Sequence, residues 1–399
     1  MPDAFTKPFT QQEPMPEAAI EAAVAVLRTG RLHRYNVAEG ETSETALLEQ
    51  EFAACLGVPY CLATASGGTA MQIALAACGV SPGDAVLTNA FTLSPVPGAI
   101  HAVGARPVLV ETTEDLVIDL DDLAAKADQA HFLLISHMRG HLVDMDALME
   151  LCAAHDLTLI EDCAHTMGGA WKGRPSGTFG KAACFSTQTY KHINSGEGGF
   201  VTTADPDVMS RAIVRSGSYM LYDRHLAAPG PEAFTDVRLD TPNCSSRMDN
   251  LRAAILRPQL QDLARQVERW NARYAILQDG LRGAPGLILR ETPNAETHVG
   301  SSIQFRLPEL TDQEVTDFLA ATAAVGVELK WFGAPEPHGY TSAHQSWRYA
   351  GRQQAPKTDR ILSRLFDMRV PLTFTEDDCR QIAALIADCA AKAAMTEPA

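Results

Sequence analysis

No run of about 18 apolar residues occurs in this chain, so nothing in it reads as a membrane-spanning helix. Its first residues, MPDAFTKPFTQQEPMPEA, have no apolar core of the kind a secretory signal needs. Cationic clusters are missing too. Lys and Arg number 33 against 49 Asp and Glu, a formal net charge of −16, which argues against a partner held by a phosphate backbone. None of the nine cysteines stands in a CxxC pair, and their number is odd. Scattered thiols of this kind read as reduced residues of a cytoplasmic protein rather than as a disulfide framework. The 12 histidines offer no HExxH spacing, the helical pattern of zinc hydrolases. No repeat or low-complexity segment is visible. What is present, 46% hydrophobic and 21% charged residues over 399 positions, suits a soluble globular enzyme of two or three domains with a sizeable core.

Two helical patterns open the chain. PEAAIEAAVAVLRTG, from residue 16, closes on a glycine suited to a C-cap, and ETALLEQEFAACLG closes the same way. From residue 60 short apolar runs follow: YCLATA, DAVLTNA, ARPVLVE, HFLLISH, LTLIEDC, KAACFST and GGFVTTA. Amphipathic segments such as MDALMELCAAHD separate several of them. Strands alternating with helices predict an α/β fold with a mostly parallel sheet flanked by helices. Ligand sites in such sheets gather at the carboxyl ends of the strands. After about residue 250 the strand rhythm stops. NLRAAILRPQLQDLARQVERWNARYAILQDGL predicts one long helical stretch, and SSIQFRL, DQEVTDFLAATAAVG, VELKWFG and TEDDCRQIAALIADCAAKAA suggest a smaller α+β domain. The expected organisation is an N-terminal arm over 1–15, a large domain over 16–265 and a small C-terminal domain over 266–399.

Three elements carry chemistry. In ATASGGTAMQIALAAC a strand ends near Ala65, and Ser66, Gly67, Gly68 and Thr69 turn into an apolar helix. The N–H groups and dipole of a helix start favour an anion such as phosphate, and glycine lets the backbone approach closely. A plain strand–helix turn capped by Thr69 is the alternative. In LTLIEDCAHTMGG, Asp162 closes an apolar strand, where a carboxylate needs a cationic or hydrogen-bonding partner. A protonated pyridine nitrogen would serve, as would an ordinary cap or ion pair; His165 is close enough to reach the same ligand. In CFSTQTYKHINSGEGG, Ser186 ends a strand and Lys191 follows in a loop. Such a lysine is either a solvated charge or, in a drier site, an amine of lowered pKa able to form a Schiff base. Together, in this chain order, the three meet the needs of pyridoxal 5'-phosphate: an anchor for its phosphate, a carboxylate on its ring nitrogen and a lysine for its aldehyde.

At this point the chain resembles the DegT/DnrJ/EryC1/StrS family of pyridoxal-phosphate-dependent sugar aminotransferases, which have the aspartate aminotransferase (type I) fold. The resemblance covers nearly the whole length. It rests on SGGTA, SPGDAVL, HMRGHLVDMDAL, IEDCAHTMGGAWKGRPSGTFGKAACFS, KHINSGEGGFVTT and SSRMDNLRAAIL, and the run from Ile160 to Thr203 is the most distinctive. It implies that Lys191 bonds the aldehyde, Asp162 faces the pyridine nitrogen, and His165 touches the ring on its phenolic-oxygen side. Gly68, Thr69 and Ser186, with Gly67 beside them, match the phosphate cradle. The resemblance also implies a homodimer with composite active sites, in which PNCSSRM of the partner reaches the phosphate. Relatives usually have an asparagine two residues before that arginine; here Ser245 stands there and Asn243 lies two residues earlier, so Asn243 is the candidate. Relatives often stack an aromatic on the ring directly after the threonine of NAFTLSPV, where this chain has Leu93, leaving Leu93 or Phe91 to cover it.

The activity so implied is a ping-pong transamination. An amino acid donor, glutamate or glutamine, gives its nitrogen to the cofactor, and pyridoxamine phosphate passes it to a keto-sugar, a nucleotide-linked keto-sugar or a keto-cyclitol. Candidate acceptor contacts are His33, Arg34 and Tyr35 in RLHRYN, then Arg247, and Trp331, His338, Tyr340 and Arg348 in WFGAPEPHGYTSAHQSWRY. Arginines there could grip a carboxylate or diphosphate. No metal, nucleic acid or membrane partner is expected. Two alternatives share the fold: a sugar dehydratase, in which histidine replaces the lysine, and a non-catalytic regulator, which usually carries a DNA-binding module. Lys191 is present, although His192 follows it, and no such module is attached.

Overall fold

The computed structural model describes residues 4–338 and 343–394. Its strands, in chain order, are β1 (Tyr60–Thr64), β2 (Ala85–Asn89), β3 (Arg106–Val110), β4 (Phe132–Ser136), β5 (Thr158–Asp162), the two-residue pieces β6 (Ala170–Trp171) and β7 (Arg174–Pro175), then β8 (Ala182–Ser186) and β9 (Gly199–Thr203). Five more follow: β10 (Ile288–Leu289), β11 (Glu296–Thr297), β12 (Ser302–Arg306), β13 (Lys330–Trp331) and β14 (Leu365–Arg369). The central sheet has seven strands in the order β1-β9-β8-β5-β4-β2-β3. β9 pairs antiparallel with both its neighbours, while the pairs from β8 to β3 are parallel. Six strands therefore run one way, and Thr64, Asn89, Ser136, Asp162 and Ser186 come out along one edge.

These strands read as continuous apolar runs because both faces are covered. Alternate side chains leave opposite faces. Val86, Leu134, Ile160, Cys184 and Val201 pack with the helices Gly67–Ala77 and Pro206–Gly217, whereas Leu87, Leu133, Ile135 and Leu159 enter a second core across the sheet. A smaller sheet, β10-β12-β14-β13, is covered by Asp312–Ala324 and Glu376–Ala394.

The first two helices end on Gly30 (φ 67°) and Gly57 (φ 76°), left-handed positions that glycine reaches without strain. The long helical run is two helices, Asn250–Gln261 and Leu263–Leu281, meeting at Asp262. Pro258, which has no N–H, withdraws a bond from the first of them and weakens its continuation. The second joins the two bodies: Leu263, Val267 and Trp270 lie in the core beside β1 and β8, and Tyr274, Leu277 and Leu281 in the core under the small sheet. The N-terminal arm is tied to that same core. Phe5 and Phe9 pack edge-on against Phe374 at 5.1 and 4.9 Å between ring centroids, and the Phe5 N–H donates to the Val325 carbonyl at 2.9 Å. No helix among the described residues is long and apolar enough to cross a membrane.

Candidate active site

A cleft of about 450 Å³ opens at the carboxyl edge of the central sheet. Ser66, Gly67 and Gly68 line it from the end of β1, Leu93 from beyond β2, Ser136 and Arg139 from β4, Asp162 and His165 from β5, and Ser186 and Lys191 from β8. The small sheet adds Lys330 and Arg369, and the arm adds Gln12 to Met15.

The glycine turn is shaped by crowding. Ser66 caps the helix, its Oγ accepting the Thr69 N–H at 3.1 Å. A Cβ on Gly67 would lie 2.8 Å from the Ser186 Cβ, so only glycine lets β1 and β8 close on the helix start. The N–H groups of Gly67 and Gly68, which line the cleft, have no partner within the helix and offer an anion site. Ser66 faces the cleft at this turn; Thr69, one step into the helix, turns its hydroxyl back to Ser66 Oγ at 2.8 Å and does not line it.

Two carboxylates adjoin on β5 and point to opposite faces. Glu161 is buried and fully bonded: it accepts N–H groups of Gly177, Phe179 and Gly180 and lies 3.1 Å from His137 Nε2. Asp162 faces the cleft. It accepts the Ser136 hydroxyl at 3.0 Å and the Ala164 N–H at 3.1 Å. Burial raises its pKa, an effect only partly offset by the Lys191 charge.

Lys191 Nζ lies 3.1 Å from His165 Nε2. Half-open to the cleft and enclosed by protein on its other sides, the amine is desolvated, which brings its pKa down to about 7. Asp162 opposes that shift; Arg139, Arg369 and Lys330 reinforce it. Burial, with the Lys191 charge beside it, likewise holds His165 well below its ordinary value, so the imidazole is neutral. The cleft thus joins an amine available in its neutral form, a buried acid and an anion cradle, the parts needed to form and break a carbon–nitrogen bond.

A model of the DegT/DnrJ/EryC1/StrS aminotransferase family matches residues 16–387. The chain belongs to that family. It is therefore an aminotransferase on the α/β fold its relatives share. It is similar to L-glutamine:2-deoxy-scyllo-inosose aminotransferase of Streptomyces fradiae, 32% identical over 388 residues that cover 93% of this chain and 88% of the relative. A dTDP-3-amino-3,4,6-trideoxy-alpha-D-glucose transaminase of Streptomyces venezuelae is 34% identical over 286 residues, 69% of this chain and 68% of the relative. Among solved structures, S. venezuelae DesV in complex with a ketimine intermediate superposes with a TM-score of 0.79 at 27% identity, covering 93% of this chain and 94% of that one.

Several residues expected at the aminotransferase site lie elsewhere. Phe91 is 1% exposed and packs edge-on to Phe332 at 5.0 Å between centroids, so it is core, and Leu93 is the side chain that faces the cleft. Arg34 and Tyr35 are buried: Arg34 forks onto Glu49 at 2.7 and 2.9 Å, and the Tyr35 hydroxyl lies 2.8 Å from His225 Nε2. Neither lines the cleft, and the Arg34 Nε that stays unpaired is sealed in the interior, out of a substrate's reach. Trp331 donates its Nε1–H to the Ser363 carbonyl at 3.0 Å and packs on the core under the small sheet. His33 is exposed beside Tyr35, and Arg247 donates to the Gly217 carbonyl at 2.9 Å under the Tyr219 ring. Asn243 is exposed and accepts the Ser245 N–H. None of these three lines the cleft of its own chain. His338 and Arg348 are exposed, the latter on a separate pocket near Phe332 and Ser363, and Tyr340 lies outside the described residues.

The sequence reading passed over Arg139, Ser136, Tyr190, Lys330 and Arg369. Lys330 neighbours Trp331 on β13, where adjacent side chains leave opposite faces, so the aromatic drew attention to the wrong one of the pair. Arg369 ends β14, whose LFDMR carries polar residues and was not expected as a strand.

Proposed function

We propose that the cleft holds pyridoxal 5'-phosphate, carried as pyridoxamine phosphate between half-reactions. The enzyme moves an amino group from an amino acid donor, glutamate or glutamine, to the carbonyl of a keto-cyclitol or of a free or nucleotide-linked keto-sugar. The observation that carries this is the desolvated Lys191 amine in one cleft with buried Asp162 and the Ser66–Gly68 turn. The residues fit the group: Gly67 is pressed against Ser186 while Gly68 is open beside it, so backbone N–H groups stand bare at the cleft, and Asp162 is an otherwise costly buried acid held in place by Ser136 and Ala164. The relatives' acceptors, an inosose and a dTDP-linked sugar, support the acceptor class.

When bound, the cofactor supplies an aldehyde for an amine and a ring that stores the electrons of a broken C–H bond. Lys191 would hold the cofactor through that aldehyde, and its amine, with a pKa brought down to about 7, would serve as the base that takes a proton from the donor's α-carbon and as the acid that gives it back. Asp162 holds the proton on the ring nitrogen, and Ser136 fixes the orientation of its carboxylate. Ser66, Gly67, Gly68 and Ser186 take the phosphate. His165, neutral, lies against Lys191 and orients it. Leu93 covers the ring with aliphatic surface. We further infer a homodimer in which the exposed Asn243 segment reaches the phosphate site of a second copy. Lys191 in the cleft weighs against the dehydratase and regulator alternatives.

Absorbance of the purified protein is the direct test. The wild type is expected to be yellow with pyridoxal phosphate and to bleach on adding glutamate or glutamine, and Lys191→Ala to lose both behaviours. A wild type that stays colourless with added cofactor, or a Lys191→Ala variant that bleaches normally, would overturn the assignment.

A further inference from the structure

Gln259 lines the cleft from the last turn of the helix Asn250–Gln261, but its amide is turned to the protein. Its Oε1 accepts the Asn194 N–H at 3.0 Å. Its Nε2 donates to the Asn194 carbonyl at 2.8 Å and to the Ile255 carbonyl of its own helix, also at 2.8 Å. Both N–H groups of the amide are thereby engaged. The Met15 Sδ of the arm lies 3.7 Å from the same nitrogen. Pairing with the N–H and the C=O of one residue is what one strand does to another in an antiparallel ladder; here a side chain does it. An amide suits the task because it carries donor and acceptor on one planar end, and the bond to Ile255 fixes which way that end faces. Asn194 stands three residues beyond Lys191, in the loop between β8 and β9. The chain on either side of it is set against fixed parts of the fold. Ile193 is 1% exposed and shares a core with Leu256 and Leu260 of the Gln259 helix, and the Ser195 N–H donates to the Thr187 carbonyl at 3.0 Å.

We propose that Gln259 is a positioning residue for the transamination: by clamping the Asn194 backbone it holds the Lys191 loop so that the amine stays in the cleft beside His165. A lysine reaches its target on a flexible four-carbon stem, so its Nζ keeps one place only if the backbone that carries it is fixed. With the clamp gone, the loop gives the amine a path to water, and the desolvation that burial imposes on it is relieved. Gln259 acts through Lys191. The proposal rests on the transaminase reading, in which that amine moves protons at the reacting carbon.

Two variants test it. Gln259→Met keeps the length and removes the amide; Gln259→Glu keeps the shape and sets an oxygen against the Asn194 and Ile255 carbonyls. In the cofactor-free protein, mass spectrometry follows amide exchange over residues 191–195 and the pH dependence of Lys191 acetylation by acetic anhydride. Wild-type Lys191 is expected to react with a midpoint near pH 7, a low value that comes first from burial. Both variants should exchange faster in that segment and show a midpoint about one pH unit higher. In the holoenzyme, bleaching by saturating glutamate at neutral pH should slow about ten-fold or more. The glutamate concentration for half-saturation should stay the same, and the deficit should shrink as pH rises. A glutamine of structural value alone would lower the melting temperature and move neither the exchange nor the midpoint. The proposal needs both responses, and the absence of either one in both variants overturns it. A colourless wild type would instead count against the cofactor, while exchange and acetylation of the cofactor-free protein would still decide the clamp.

Discussion

Two buried polar clusters in this chain use the same kinds of side chain to opposite ends. In one, Arg34, Glu49, His225 and Tyr35 close on each other: Arg34 forks onto Glu49, His225 Nδ1 lies 3.1 Å from the same carboxylate, and the Ala63 N–H donates to it at 2.9 Å. Burial alone would raise the Glu49 pKa, yet Arg34 and His225 together bring it down to about 2. In the other, Lys191 and Asp162 share a cleft, but burial prevails over their mutual attraction: the amine falls to about 7 and the acid rises. Charge cancelled within the fold serves structure. Charge left uncancelled at the mouth of a sheet is available to a ligand, and it marks the site better than burial or residue type does.

The comparison breaks most sharply by exchanging losses. Lys191→Met is expected to lower amino transfer by about 10⁴-fold, at the upper end for acid–base catalysis, while the cofactor-free protein melts no lower than the wild type. Arg34→Met is expected to do the reverse. Orphaning buried Glu49 should cost about 3–5 kcal/mol in urea unfolding, with kcat/KM per folded molecule unchanged. A stable but inactive Arg34→Met would show that the clusters had been assigned the wrong way round.

Titration sharpens the contrast. An unfolded lysine keeps its proton to about pH 10.4, whereas Lys191 in the fold releases it near 7. Between those values the unfolded chain binds more protons, so the stability of the cofactor-free protein should rise with pH across that window and Lys191→Met should remove the slope. Glu49 acts at the other end. Its folded pKa of about 2 lies below the roughly 4.3 of a free glutamate, so its contribution is complete above that value and is lost as pH falls toward 2. Urea midpoints from pH 3 to 10 for the two variants check both signs.

The smallest effect concerns Leu93. Leu93→Phe should introduce aromatic stacking worth about 1 kcal/mol, seen as about five-fold slower loss of cofactor on dialysis. No change would mean that Leu93 does not cover the ring.

Much of the site was legible because its parts are local. Ser66 to Thr69, Asp162 with His165, and Ser186 with Lys191 each sit on one strand end, and the alternation of seven apolar runs with helices already sends those ends to one edge. Arg139, Lys330 and Arg369 were not legible, because they meet only where the small sheet folds over the large one. RLHRYN misled for the same reason: the partner that neutralises Arg34 is Glu49, on the next helix, and His225 completes the cluster from far along the chain. Apolar periodicity and strand-end chemistry are properties of neighbouring residues, so the order of letters was enough to set the α/β architecture and the lysine–aspartate–glycine set. Whether a given charge is cancelled depends on distances between residues remote in the chain. Only the packed molecule decided that Arg34 is silent, that Leu93 rather than Phe91 faces the cleft, and that Arg139 stands in it with donors to spare.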